Sequence, residues 1–216
     1  MNRLQASISG PRTALAFAAL ACALLAAPAS ADQSRKRFSV DVAMNGTTFF
    51  DFEQNPDPAR AGIPPNGSPF IIQGYIYRGG TFELYGDTSG VNADGSPQFP
   101  DRVIGTWICR GWHLQDGDAL AGPVVATTQI FDFEPDHPGR QILVTDGIEL
   151  ADFDVPFKRA VTGGTGAFNR VAGELVQTYV WEEPEFLNAS GGFNTTFEFR
   201  LQQAVKHLPV AFFHGR

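Results

Sequence analysis

Chemistry in this chain would have to come from a few polar and aromatic side chains set two positions apart. In "VIGTWICRGWH" the alternate residues Val103, Gly105, Trp107, Cys109, Gly111 and His113 share one face of a strand, while Thr106, Arg110 and Trp112 share the other. Small residues at 105 and 111 beside Trp107 suit the wall of a cavity, with Trp107 and Cys109 turned towards a ligand. Arg110 is a catalytic candidate, a cation able to hold a carboxylate or a developing oxyanion. Its competing reading is an outward charge paired with a neighbouring strand. In "GELVQTYVW" Gly173, Leu175, Gln177, Tyr179 and Trp181 alternate with Glu174, Val176, Thr178 and Val180. Gln177 and Tyr179 would orient a ligand carbonyl. Glu174 would serve as a general acid if a dry site raised its pKa, and is otherwise a solvated residue beside a turn. Tyr75 and Tyr77 of "IIQGYIYRGG" also share a face and offer amphipathic tips to a ligand, although they are equally ordinary strand residues.

Other chemistries lack their residues. The histidines His113, His137, His207 and His214 show neither an HExxH motif nor a paired spacing, so no metal is expected. No serine lies in a Gly-x-Ser-x-Gly elbow, and no cofactor is expected. The run "AVTGGTGAFNRVAGELVQTYV" (160–180) is rich enough in glycine to be a phosphate cradle, yet Thr165 to Asn169 supply no lysine where a Walker loop needs a cation. The β-branched and aromatic residues that follow provide no helix N-terminus for a pyrophosphate. The run reads instead as a tight turn, its glycines supplying positive φ and close backbone approach between two strands.

The elements that must position these side chains are strands. Nineteen phenylalanines, repeated two-residue alternation and frequent clusters of Gly, Pro, Asn and Asp make the chain all-β. Strands are expected at 38–44, 47–52, 70–84, 103–114, 124–133, 141–150, 157–162, 175–181 and 192–203, with breaks at glycines such as Gly74, Gly79 and Gly105. Phe131 and Phe133 share a face opposite Asp132 and Glu134, and Phe197 and Phe199 oppose Glu198 and Arg200, so one side of the sheet is strongly aromatic. Long loops at 53–69 and 85–101 belong at the rim of a sheet structure. Periodicity alone leaves a packed sandwich and a closed barrel both open.

The first 31 residues form a separate segment. Arg3 and Arg12, the apolar run Ala14 to Ala27 and the small-residue site Ala29-Ser30-Ala31 read as a secretory signal cleaved after Ala31, leaving 32–216 as a single domain, secreted or periplasmic. The run is too short for a stable membrane anchor. Without Arg3 and Arg12 the 16 basic residues fall to 14 against 23 acidic ones, a net charge of −9 that suits no nucleic acid. Removal of Cys22 leaves Cys109 alone, so no intramolecular disulfide is expected.

The glycine run carries a resemblance. A small or apolar lead, Gly163-Gly164-Thr165-Gly166, an aromatic Phe168, a short spacer and Gly173 before an outgoing strand resemble the signature of the allene oxide cyclase and dirigent barrel families, and "GTWICRGWHL" and "TTQIFDFE" resemble their bacterial relatives. The similarity spans roughly 70–201. It implies an eight-stranded antiparallel, lipocalin-like barrel with an apolar cavity, often assembled into dimers or trimers. It further implies binding of an apolar small molecule and, if the chain is an enzyme, an isomerase or cyclase that directs the stereochemistry of a reactive intermediate. A non-catalytic exported carrier or oligomeric envelope module is the alternative. The matching glycines belong to a turn, and no catalytic residue is carried over from either family.

Overall fold

The computed structural model describes residues 36–51, 56–85, 89–117, 123–150, 152, 155–180 and 187–202. The expected leader, its cleavage site and Trp181 lie outside the described residues.

Eight strands form one closed antiparallel barrel: β1 (Lys36–Asp51), β2 (Pro69–Arg78), β3 (Gly105–His113), β4 (Val124–Asp132), β5 (Ile142–Leu150), β6 (Phe157–Gly164), β7 (Gly173–Val180) and β8 (Asn194–Leu201). Each strand pairs with the next in sequence, and β8 returns to β1 with Phe38 opposite Phe199 and Val40 opposite Phe197. Closure gives every strand two neighbours and leaves no edge strand. Of the two architectures left open by periodicity, the chain adopts the barrel.

Two expected strands, 38–44 and 47–52, are one strand with an irregularity between Asn45 and Phe50. The Asn45 side chain holds the kink, its Oδ1 accepting from the Thr47 backbone N–H at 3.1 Å and its Nδ2 donating to the Gly95 carbonyl at 2.8 Å. The strand expected over 70–84 stops at Arg78. Gly80, at φ 85°, turns the chain, and Thr81–Tyr85 form one helical turn, α1, whose Phe82 N–H donates to the buried Asp41 carboxylate at 3.1 Å.

The two ends of the barrel are filled differently. One end comprises the start of β1 and the end of β8, and there the interior is packed with phenylalanine. Phe38 stacks on Phe199 at 4.6 Å, and Phe131 meets Phe197 and Phe199 edge-on at 5.0 and 5.1 Å. These rings alternate with outward polar residues as strand geometry requires, and each such pair adds about 0.5–1.5 kcal/mol beyond its area burial. Phe168 completes the plug, fully buried against Phe133 at 5.3 Å.

Phe168 is delivered by the glycine run. Between β6 and β7 the chain makes a single 3-10 turn over Gly166–Phe168. Gly166 has φ 57°, and a Cβ there would collide with the Arg140 carbonyl; a Cβ on Gly164 would collide with the Ile142 carbonyl and with Phe168. The Thr165 hydroxyl ties the turn across by donating to the Gly139 carbonyl at 2.7 Å and accepting from the Ile142 N–H at 3.0 Å. The run is thus the turn expected from sequence, and its task is to close one end of the barrel.

Candidate functional site

At the opposite end, where β3, β5 and β7 finish and β2, β4 and β6 begin, the interior is hollow. A cavity of ≈ 330 Å³ opens there, at the lower end of the roughly 300–1,000 Å³ typical of small-molecule sites. Its walls are apolar, formed by Met44, Phe70, Ile72, Trp107, Val125 and Phe193. Cys109, His113, Glu149 and Tyr179 are the polar or titratable side chains among its lining residues. Phe49, Gly62, Ile63, Pro64, Gly117 and Pro123 form the mouth.

The proline-rich loop that supplies Gly62 to Pro64 is fastened across this mouth. Asp116 accepts from Arg60 Nη1 at 2.7 Å and from the Asn66 N–H at 2.8 Å, while the Gly67 N–H donates to the His113 carbonyl at 2.7 Å and the Gly117 N–H to the Pro64 carbonyl at 3.0 Å. Arg60 and the Asn66 N–H together hold the Asp116 carboxyl below its ordinary range.

Beside the cavity, β4 to β7 turn polar residues into the barrel. Arg159 is fully buried, donating through Nη1 to Thr127 Oγ1 at 2.6 Å and through Nη2 to the Thr127 carbonyl at 2.9 Å. Glu149, 2% exposed, faces it with Oε2 at 3.5 Å from Nη1. Gln129 Nε2 donates to Gln177 Oε1 at 2.9 Å and lies 3.5 Å from Glu149 Oε2. A buried charge this dry survives only when paired and hydrogen-bonded, and removing one partner costs about 3–5 kcal/mol.

The surroundings shift the groups in opposite senses. Burial pushes the Glu149 carboxyl above the usual carboxylate range, opposed by the Arg159 guanidinium and by the Thr127, Gln177 and Tyr179 side chains. Burial likewise pushes the Cys109 thiol and Tyr179 phenol well up, and the charge of Glu149 adds to both. Burial lowers His113, against a smaller opposing pull from Asp51, so its imidazole is held neutral at pH 7. Both ring nitrogens of His113 and Nε1 of Trp107 are buried without a hydrogen-bond partner among the described residues. A buried polar atom left unpaired costs about 1–3 kcal/mol. Three such atoms on two lining residues therefore mark a place where polar groups await a partner.

The residues singled out in the sequence divide between this site and the outer wall. Trp107, Cys109 and Tyr179 line the cavity, and Gln177 stands in the adjoining polar cluster. Tyr75 and Tyr77 are corrections. On β2 the inward positions are Ile72, Gly74 and Ile76, whereas Tyr75 donates to the Gly95 carbonyl at 2.8 Å and Tyr77 to the Gly90 carbonyl at 2.5 Å, both in the second long loop. That loop covers the outer wall, where Tyr77 packs with Ala43, Phe82 and Val91, and burial raises its phenol to about 12. Among the described residues of the two long loops, only those of the first reach the cavity mouth. Glu174 and Arg110 are corrections as well. Glu174 lies on the outer face, half-exposed and 3.2 Å from Lys158 Nζ, and Arg110 is exposed on the outer face of β3.

Glu149 and Arg159 were not singled out in the sequence, although alternation marks them. Glu149 shares its face with Leu143 and Thr145, and Arg159 shares its face with Phe157 and Val161, so each interrupts an apolar inward row. Among the described residues no group of three His, Cys, Asp or Glu could hold a metal ion.

No family model and no curated protein matches the chain in sequence. Among solved structures it is similar to pyocyanin demethylase at 14% identity, over 77% of this chain and 99% of that one, with a TM-score of 0.43. It is also similar to a pterocarpan synthase dirigent protein at 11% identity, over 77% and 83%, with a TM-score of 0.49. A third is the Diels Alderase AbmU from Streptomyces koyangensis at 14% identity, over 80% and 70%, with a TM-score of 0.42. These similarities concern barrel architecture, and the chemistry of this site rests on its own residues.

Proposed function

We propose that the protein holds one apolar small molecule in the open end of the barrel, with a polar group of that molecule turned towards Glu149 and His113, and that confinement there directs an intramolecular isomerisation or cyclisation. The supporting observation is the asymmetry of the cavity: apolar walls on most sides, and beside them unpartnered ring nitrogens and a buried carboxylate. A few placed polar groups in an apolar cleft fix the orientation of a ligand. Holding a flexible molecule in one folded conformation lowers the barrier of a reaction between its own parts. Perturbed titratable groups clustered in a cleft add weight to a catalytic role. Export to the periplasm or beyond, suggested by the N-terminal segment, and assembly into dimers or trimers belong to this reading.

A passive exported carrier is the second reading, favoured by the complete pairing of Arg159, which leaves that cation engaged with Thr127 and Glu149. Native mass spectrometry of the protein isolated from its own source, followed by organic extraction, tests the shared premise. One apolar compound per chain is the expected result, and its conversion by fresh protein separates enzyme from carrier. Protein that is consistently empty, and that takes up no apolar compound offered to it, would contradict both.

A further inference from the structure

We propose that Glu149 is the proton-transfer group of the cavity, acting as a general base on a carbon acid, an apolar molecule whose C–H bond is activated by a conjugated hydrogen-bond acceptor. This inference rests on the reading of the cavity as a ligand site. Glu149 combines three properties on the page. It lines the cavity, it is removed from bulk water, and it is held in place through Oε2 by Arg159 and Gln129. A carboxylate in apolar surroundings is a stronger base than one in water, because the hydration that stabilises its charge is gone.

The remaining groups support transfer of a proton and exclude competing roles. Cys109 and Tyr179 are protonated at neutral pH because burial raises both, so neither is the base. Arg159 keeps the buried site neutral overall once Glu149 is ionised. Trp107 Nε1 is a donor only, and neutral His113 carries one donor and one acceptor; six positions apart on β3 they stand at different depths of the cavity, and either can receive the acceptor atom of a substrate on which charge builds as its proton leaves. The balance of the step is simple. The carboxylate takes a proton from carbon, the C–H electron pair moves into the conjugated acceptor, and the protonated Glu149 returns the proton at another position of the same molecule. No oxidant, reductant or co-reactant is consumed, and the product is an isomer of the substrate.

The probe is 5-nitrobenzisoxazole, an apolar bicyclic carbon acid. Removal of its C3 proton by a carboxylate breaks the N–O bond and sends that electron pair to oxygen, giving a coloured cyanonitrophenolate. Its unreactive isostere 5-nitroindazole reports binding alone, by calorimetry. The parent protein is expected to bind the isostere and to turn over the probe, with a rate that rises with pH through a pKa above the ordinary carboxylate range. The titratable and charged groups facing Glu149 are Arg159 from β6, Cys109 and His113 from β3 and Tyr179 from β7. Glu149→Gln should keep isostere binding and lose about a hundredfold in turnover. Should Glu149→Gln not fold, Glu149→Asp keeps the charge beside Arg159 while withdrawing the oxygens, and turnover should fall roughly tenfold to a hundredfold at unchanged isostere affinity. Binding of the isostere without turnover, or turnover indifferent to both substitutions, overturns the role of Glu149 and leaves the ligand cavity standing. Absence of both binding and turnover overturns the cavity reading and this inference with it.

Discussion

The two ends of this barrel are built from the same alternating strands and reach opposite results. At one end the inward positions are filled mainly by rings and branched aliphatics, and the glycine turn folds Phe168 in as a stopper. At the other end the inward positions are Thr127, Gln129, Thr145, Glu149 and Arg159 on one side and apolar walls on the other, with a void between. Polar side chains cannot close-pack without satisfying one another, so they spend their volume on hydrogen bonds and leave room that a ligand can take. The closed end supplies stability, and the open end spends some of it on a buried ion pair and unpaired ring nitrogens.

Removal of one ring from each end should show the largest difference. Phe131→Ala opens a hole among packed rings and should cost about 3–5 kcal/mol of unfolding free energy. Phe70→Ala removes a ring that already borders a void, with fewer contacts to lose, and should cost roughly 2 kcal/mol or less. Chemical denaturation of both variants measures this, and equal losses would erase the distinction between the ends.

The ion pair comes next. Arg159→Met strands Glu149 in a dry site and should cost about 3 kcal/mol, while the double variant with Glu149→Gln should recover more than half of that loss, since the uncompensated charge is then gone. A double variant no more stable than Arg159→Met would mean that Arg159 acts through its bonds to Thr127 rather than through charge.

The smallest expected effect is the pH response of His113. Burial lowers its pKa in the folded protein, so the unfolded chain binds the proton first, and the stability that this group contributes is present above about pH 6.5 and lost as pH falls below it. The raised carboxyls Asp41 and Glu149 act in the opposite sense over the acidic range, so the parent alone is not diagnostic. His113→Leu compared with the parent isolates the term: the fall in Tm between pH 7 and pH 5 should be shallower in the variant. Parallel curves would place His113 in contact with water.

Much of the closed end was legible in the sequence. Phe131, Phe133, Phe197 and Phe199 fall on inward faces by simple alternation, and the glycine run declares itself a turn because it lacks the cation and the helix of a phosphate site. The open end was legible only in part. Trp107, Cys109 and Tyr179 fall on inward faces by alternation, opposite the outward Arg110 of β3 and Glu174 of β7. Tyr75 and Tyr77 face the outer wall instead, because the second long loop, close after β2 in sequence, folds back over it, so both faces of that strand are covered and alternation loses its meaning. Glu149 and Arg159 are visible as charges within apolar inward rows, yet their partnership depends on the register of β5 against β6, with its irregularity between Val144 and Thr145, and no local pattern reveals that. The volume left unfilled is a property of the whole barrel and of no single segment.

The most direct test of a barrel stoppered at one end and hollow at the other is a crystal structure under xenon pressure, since xenon settles in apolar voids large enough to hold it. The account predicts xenon beside Ile72 and Trp107 and none among Phe131, Phe197 and Phe199. Xenon among those phenylalanines, or an open end filled by protein side chains, would contradict it.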